Sequence, residues 1–233
     1  MDYRNHYRTF LATALLALVF LSNLALPATG TATSLATPYA PVDHGLSIAE
    51  ARSLPLGTVV TVEGVVSVPS GAFNSSTFDE GFAIQDHTGG IYVSVADNPE
   101  LELRRQVRVT GQLADSAGLL VLSNVTDIST HGQGGPKVKA LPVVTGAVGE
   151  ANEGKIIRIT GTITQPIFND LPFGYKVFVN DGSGEIRVYV NASTGIDVSG
   201  LSAGQTVEVT GFSSAFIDAE LDPRTQADIR VLP

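Results

Sequence analysis

The sequence predicts an all-β protein made of two tandem five-stranded barrels that follow an N-terminal signal peptide. Three observations lead to this architecture: a glycine-bounded strand phrase that occurs four times, a hairpin phrase that occurs twice, and an apolar segment behind a basic N-terminus. Together they divide the chain into a leader and two similar units.

Residues 1–32 have the layout of a secretory signal peptide. Arg4 and Arg8 precede the apolar run FLATALLALVFLSNLAL, and Gly30-Thr31-Ala32 offers a small-residue cleavage site. A membrane-spanning helix needs roughly 20 apolar residues, so the shorter run favours cleavage over an uncleaved anchor. We expect a secreted or extracytoplasmic protein without stable membrane insertion, in which residues 33–45 form a linker.

A glycine-bounded phrase recurs along the rest of the chain. It reads GTVVTVEG, GKIIRITG and GQTVEVTG, and a fourth copy, RRQVRVTG, has Arg104 in place of the first glycine. Alternating aliphatic and polar residues are typical of a strand with one buried face, and the closing glycine marks a bend or bulge. The phrase is therefore structural, because a phosphate-binding loop needs backbone N–H groups at a helix N-terminus.

A second phrase defines the size of the repeating unit. DHTGGIYV and DGSGEIRV share their aspartate, glycine, isoleucine and valine positions, and this phrase occurs only twice. The unit is therefore about 97 residues long and uses the glycine phrase twice, which argues against four equal propeller blades. The first unit spans residues 46–131, a linker spans 132–145, and the second unit spans 146–233.

Each unit contains five predicted strands. They are TVVTVEGVVSV, GFAIQ, IYVSV, QVRVTGQL and LLVLSNVTDI in the first unit, and KIIRITGTITQP, GYKVFVN, EIRVYV, QTVEVTGFS and ADIRVL in the second. Asp86 and Asp181 open tight hairpins between strands two and three, where an aspartate accepts hydrogen bonds from turn amides. A short segment with room for one helical turn precedes each first strand. Five short strands with a long, bent first strand describe an OB-fold.

The chain also resembles a known group of modules. The segments SIAEARSLPLGTVVTVEGVV, EGKIIRITGTI, DGSGEIRVYV and DPRTQADIRVL look like OB-fold modules that accompany secreted bacterial nucleases of the endonuclease/exonuclease/phosphatase type and lamin-tail proteins. The resemblance covers roughly residues 46–233 and implies an accessory, nucleic-acid-binding role. Those nucleases carry their catalytic metal-binding domain elsewhere in a longer chain, so the resemblance implies no catalysis here.

No catalytic set is recognisable in the sequence. The chain has no cysteine and no metalloprotease, nucleophile-elbow, phosphate-loop or dinucleotide motif. His87 falls in the first hairpin turn and His131 in the glycine-rich linker, and the turn at Asp181 is too short for an EF-hand calcium loop. We expect a protein that is not an enzyme and binds neither a cofactor nor a metal.

The expected ligand face lies on strands two and three, where OB-folds bind oligomers. If Ile and Val of IRVYV point into the barrel, the outward residues of the second unit are Lys176, Phe178, Asn180, Arg187 and Tyr189. The corresponding positions of the first unit are Gly81, Ala83, Gln85, Tyr92 and Ser94.

The second unit therefore combines aromatic rings with cations, a mixture that stacks bases and holds phosphates. The first unit offers only Tyr92 and is interpreted mainly as a scaffold. Ordinary cross-strand packing is the alternative for the second unit, and Phe73 and Phe78 in the loop of the first unit have the same two interpretations.

The net charge of −9 argues against tight, non-specific DNA binding, because such affinity draws on Lys and Arg that displace counterions from phosphates. The leading hypothesis is a secreted, non-catalytic module that binds single-stranded nucleic acid. The alternative, which the acidic balance favours, is an envelope interaction or structural module that binds a protein or an oligosaccharide.

Overall fold

The computed structural model describes residues 42–73, 79–132 and 134–233. The signal peptide assigned to residues 1–32, nearly all of the first linker, and Phe78 lie outside the described residues. Within the described part of the chain, no helix is long and apolar enough to cross a membrane.

The described residues form fourteen strands and one short α-helix. The helix is α1 (Ile48–Arg52), and Ser47 caps it by accepting a hydrogen bond from the backbone N–H of Glu50. The strands are β1 (Val42–Leu46), β2 (Val59–Val68), β3 (Phe82–Gln85), β4 (Gly90–Val93), β5 (Gln106–Ser116), β6 (Leu119–His131), β7 (Leu141–Pro142), β8 (Ile156–Ile163), β9 (Phe168–Asp170), β10 (Gly174–Asn180), β11 (Glu185–Asn191), β12 (Thr206–Phe216), β13 (Asp218–Asp222) and β14 (Ile229–Val231).

Strands β2 to β6 close the first barrel. β2 pairs antiparallel with both β3 and β5, β3 pairs with β4, β4 runs parallel to β6, and β6 pairs with β5. The second barrel repeats this order of neighbours with β8, β10, β11, β13 and β12. Closure through strands one, two, three, five and four is the OB-fold arrangement, so the predicted all-β fold of two such barrels is confirmed.

Each barrel has its own apolar core, which follows from the alternation in the glycine phrases. Val60, Val62, Val107 and Val109 point into the first barrel, and the valines and isoleucines of β8, β10, β11 and β12 fill the second. The intervening polar residues face outward, as expected for strands with one buried face.

Strand five of the second barrel differs from the prediction. ADIRVL supplies only β14, which pairs with the first half of β12, whereas β13 runs parallel to β11 and pairs with the second half of β12. In the first barrel the single strand β6 covers both halves of β5. Residues 223–228 separate β13 from β14, and an ion pair of 2.9 Å between Arg224 and Asp228 closes this loop.

Asp86 and Asp181 fasten the two hairpins. Oδ1 of Asp86 accepts hydrogen bonds from the backbone N–H groups of Thr88 and Gly89, both at 2.7 Å, and Oδ2 accepts one from Ile48 at the start of α1. Asp181 makes the equivalent contacts to Ser183 and to Thr145, which begins a single 3-10 turn before β8. The predicted turn role is thus confirmed, and each aspartate also ties its hairpin to the helical turn that precedes the barrel.

The second barrel covers the face of β3 and β4 in the first barrel. Phe212 of β12 packs against Tyr92, with ring centroids 6.3 Å apart, and the backbone N–H of Ile156 donates to Oε1 of Gln85. At the edge of this contact, a buried ion pair of 2.7 Å joins Arg52 to Glu153. The face that the first unit was expected to present to solvent is therefore occupied by the second barrel.

Candidate ligand-binding site

Strands β10 and β11 carry the outward residues that the alternation predicts. Lys176 lies opposite Tyr189, and Phe178 lies opposite Arg187, while the residues between them point into the barrel core. All five predicted residues of this face, including Asn180, are half-buried. Their strands are held in register by the hairpin that Asp181 fastens.

A cavity of about 480 Å³ opens beside this face, where the second barrel meets the first. Lys176, Arg187 and Tyr189 line the cavity, and Tyr92 of the first barrel contributes to its wall. Its volume lies within the range of about 300 to 1,000 Å³ that is usual for ligand pockets.

Two of the predicted residues are not part of the cavity wall. Phe178 lies on the same face but does not line the cavity. Oδ1 of Asn180 accepts a hydrogen bond of 2.6 Å from the backbone N–H of Gly182, which is a contact within the hairpin turn. The structure therefore brings together four of the six residues expected at the ligand site.

Tyr92 points out of its own barrel, as the alternation predicts, but it enters the contact between the barrels. Only 2% of the residue is exposed. Its hydroxyl donates a hydrogen bond of 2.9 Å to Oδ1 of Asp79. Burial and the neighbouring carboxylate of Asp79 raise the pKa of Tyr92, so the phenol remains a neutral donor. The ring of Tyr92 can therefore form part of the apolar surface of the cavity, whereas its hydroxyl is already bonded to Asp79.

The two cations of the cavity are both paired with carboxylates. Nε of Arg187 lies 2.8 Å from Oε2 of Glu220, and Nη2 donates to the backbone carbonyl of Phe216. Nζ of Lys176 lies 2.9 Å from Oδ2 of Asp170, which also accepts a hydrogen bond from the hydroxyl of Tyr189. Neither cation can therefore neutralise a phosphate without weakening an existing ion pair.

The acidic side of the cavity was not expected from the sequence. Alternation along β13 places Asp218, Glu220 and Asp222 on one side of the strand, and all three line the cavity. Burial raises the pKa of Glu220, although Arg187 opposes the change. Burial, together with repulsion from Glu220, raises the pKa of Asp222 well above its ordinary value. The sequence DAELD alternates acidic with apolar residues, which could have indicated an acidic face on a strand. Asp and Glu are uncommon in strands, so this segment was not predicted to be one.

Exposed apolar side chains gather around the cavity. Phe173 and Phe216 line it and are 46% and 48% exposed, and Ile217 beside them is 79% exposed. Phe168 on β9 is also exposed, and Nζ of Lys176 lies 5.2 Å from the centre of its ring. Phe173 precedes β10, Phe216 ends β12, and Ile217 lies in the turn between β12 and β13. These three residues form an apolar rim at the cavity.

The described residues contain no group of three or more His, Cys, Asp or Glu side chains that could hold a metal ion. The residues that line the cavity offer apolar contact, ring stacking and hydrogen bonding to carboxylates.

Comparison with known proteins found no matching family model. Endonuclease YhcR from Bacillus subtilis is 29% identical over 209 residues, which covers 84% of this chain and 17% of that protein. The chain thus spans about a sixth of the length of this curated relative.

Two solved structures with nucleic acid show partial similarity to this chain. A murine DNA-binding protein bound to double-stranded DNA is 14% identical, with 69% of this chain and 90% of that chain covered and a TM-score of 0.37. A replication protein A heterotrimer bound to single-stranded DNA is 10% identical, with coverages of 84% and 70% and a TM-score of 0.27. The sequence similarity to a segment of a bacterial endonuclease, together with the two closed barrels, confirms the resemblance to OB-fold modules that accompany nucleases.

Proposed function

We propose that this chain is a non-catalytic, nuclease-associated module that binds single-stranded nucleic acid on its second barrel. The observation that carries the proposal is the cavity with its apolar rim, which lies where OB-folds bind oligomers: on strands two and three and the adjoining loops. The similarity to a segment of Endonuclease YhcR supports the same role.

Ring stacking supplies the binding energy in this proposal. Phe173, Phe216 and Tyr189 offer ring surface at the cavity, and each base that stacks on an aromatic side chain contributes about 1 to 3 kcal/mol. Unpaired bases present such faces and paired bases do not, so the site selects single strands.

Electrostatic attraction contributes little, because Lys176 and Arg187 are already paired. For single strands, the logarithm of the binding constant falls with the logarithm of the salt concentration, with a slope of about 0.7 for each phosphate neutralised. We expect a slope below about 1 for this protein, which distinguishes stacking from binding led by phosphates.

The proposal is tested by fluorescence anisotropy of labelled oligonucleotides with the protein lacking residues 1–32, at low and moderate salt. Phe173→Ala and Phe216→Ala should each weaken binding by about 1 to 3 kcal/mol. Leu56→Ala is the control, because Leu56 is an exposed apolar residue of the first barrel, 61% exposed. Absence of binding at micromolar protein, or equal affinity of all three variants, refutes the proposal; capture of a glycan or protein instead favours the envelope module.

Export belongs to the same proposal, with residues 1–32 removed as a signal peptide. N-terminal sequencing of protein recovered outside the cytoplasm should give a start near Thr33. Recovery of the full-length chain in membranes would contradict this part of the proposal.

A further inference from the structure

We propose that Ile217, in the turn between β12 and β13, is a ligand-binding residue that packs its side chain against a nucleobase of the bound strand. The inference rests on the proposed function and assigns one specific contact to it. It is supported by the exposure of the residue, the conformation of its backbone, and the hydrogen bonds that hold the turn in place.

The exposure of Ile217 does not serve the stability of the barrel. The residue is 79% exposed, which is the largest value among the large apolar residues that the structure describes. It belongs to the cavity wall together with Phe216. Burial of an isoleucine side chain stabilises a fold, and Ile217 gains little of this stabilisation until a ligand covers it.

The backbone of Ile217 is unfavourable as well. Its φ of 69° lies in the left-handed region, which a β-branched residue rarely adopts. The equivalent turn of the first barrel, between β5 and β6, has Ala117 and Gly118 at positive φ values of 53° and 100°. The chain thus uses small residues in one turn and isoleucine in the other. Strain of this kind commonly occurs at binding sites, where the surrounding structure enforces it.

Hydrogen bonds from outside the turn hold Ile217 in place. Its backbone N–H donates a hydrogen bond of 2.7 Å to the carbonyl of Ala117 in the first barrel, and Nη2 of Arg187 donates one of 3.0 Å to the carbonyl of Phe216. A β-branched side chain also has few χ1 rotamers, so little conformational entropy is lost when a ligand covers it. Ile217 is therefore a preorganised apolar contact at the cavity.

A nucleobase is the part of a nucleotide that fits this contact. The cavity of about 480 Å³ and the rings of Phe173 and Phe216 lie beside Ile217, so a base that stacks there also meets its side chain. Isoleucine is among the apolar residues that nucleic-acid-binding proteins insert between bases. The neighbouring Asp218 repels a phosphate, which keeps the strand's backbone away from this point.

The test measures stability and binding on the same variants of the protein lacking residues 1–32. Ile217→Gly should raise the urea midpoint of unfolding, because glycine adopts the left-handed region without strain. It should also weaken the binding of labelled oligo(dT) by about tenfold, as the loss of one buried isoleucine side chain from a complex predicts. A residue with only a structural role does not give these opposite changes.

Two further variants separate the side chain from the flexibility of glycine. Asparagine tolerates the left-handed region but is polar, so Ile217→Asn should also raise stability and weaken binding. Ile217→Leu keeps an apolar side chain and should bind oligo(dT) within about threefold of the unmodified protein.

Glu100→Gly is the matched control for relief of backbone strain. Glu100 belongs to the first barrel, is exposed, and has a φ of 54°. Glycine at this position should raise the urea midpoint without weakening the binding of oligo(dT).

The outcomes separate the two proposals. If Phe173→Ala and Phe216→Ala weaken binding but Ile217→Gly and Ile217→Asn do not, the inference is overturned and the proposed function stands. A lower urea midpoint for both Ile217 variants shows a structural role and also overturns the inference. Failure of the unmodified protein to bind any oligonucleotide contradicts the proposed function and, with it, this contact.

Discussion

At the scale of single residues, Asp222 is a group whose burial is unfavourable when it is ionised. Its carboxyl group is removed from water, is repelled by the charge of Glu220, and has one oxygen without a partner among the described residues. A buried polar atom without a hydrogen-bond partner reduces the stability of the fold.

This arrangement predicts that Asp222→Asn stabilises the protein at neutral pH. The pKa of Asp222 is raised by folding, so its contribution to stability is fully present below the ordinary pKa of about 3.9 and is lost as the pH rises through the raised value. The free energy of unfolding of the variant should therefore exceed that of the unmodified protein at pH 7 to 8, and the two should converge near pH 4.

Urea titrations across this pH range measure the difference. Asp218→Asn is the control, because Asp218 belongs to the same strand but is exposed. An equal pH dependence for both variants would show that burial of Asp222 is not the cause.

The same scale shows what could be predicted from sequence. Strand alternation and alignment of the two hairpins were sufficient to place Lys176, Arg187 and Tyr189 on one face. Their carboxylate partners, Asp170 and Glu220, could not be predicted in the same way, because the pairings join residues 6 and 33 positions apart, respectively, through the folding of β9 and β13. A face that was expected to be cationic is therefore neutralised.

At the scale of elements, the hairpin between β10 and β11 depends on Asp181. Hydrogen bonds from Ser183 and Thr145 hold the pKa of this carboxyl group far below its ordinary value. The group is thus an ionised acceptor that joins the hairpin to the 3-10 turn before β8.

We predict that Asp181→Asn destabilises the protein at neutral pH and reduces its sensitivity to acid. Because folding lowers the pKa, the contribution of Asp181 is present above the unfolded value of about 3.9 and is lost as the pH falls towards the folded value. Thermal melting at pH 7 and at several values below about pH 4 should show the greatest loss for the variant at pH 7 and a steadily smaller loss as the pH falls. Asp127→Asn, on the exposed part of β6, should leave the melting temperature unchanged at each pH.

Elements were predictable where valine and isoleucine alternate with polar residues and unpredictable where they do not. All five predicted segments of each unit form strands, although the fifth segment of the second unit forms β14 and the fifth strand of that barrel is β13. β13 was missed because its acidic residues are untypical of strands, and its pairing with β12 and β11 arises from tertiary structure.

At the scale of the whole molecule, the two barrels use equivalent faces differently. The first buries the face of β3 and β4 against its neighbour, and the second leaves the face of β10 and β11 open at the cavity. Close approach of Gly90 and Gly154 permits the contact, since a Cβ atom on either residue would overlap the carbonyl oxygen of the other.

Gly90→Ala should therefore loosen the contact between the barrels. We expect one cooperative thermal transition for the unmodified protein and two separate transitions for the variant, with faster proteolysis of the segment around residues 134–140. Gly200→Ala is the control, because a Cβ there meets nothing within 4 Å. A single transition in both variants would contradict the assigned role of Gly90.

This docking could not be predicted from the repeats, because two similar units suggest two equivalent exposed faces. The informative difference is a single position of the hairpin phrase, where Gly90 in the first unit corresponds to Glu185 in the second.

That position also limits self-association. Docking of one barrel onto the face of another joins two different surfaces, and such head-to-tail contacts propagate into open filaments when no rotation closes them. On the second barrel this position holds Glu185, which is exposed and whose carboxylate accepts hydrogen bonds from the side chains of Thr164 and Gln165. A residue with a side chain cannot admit another backbone as closely as Gly90 admits Gly154, so we expect the second barrel not to accept a further barrel in this way.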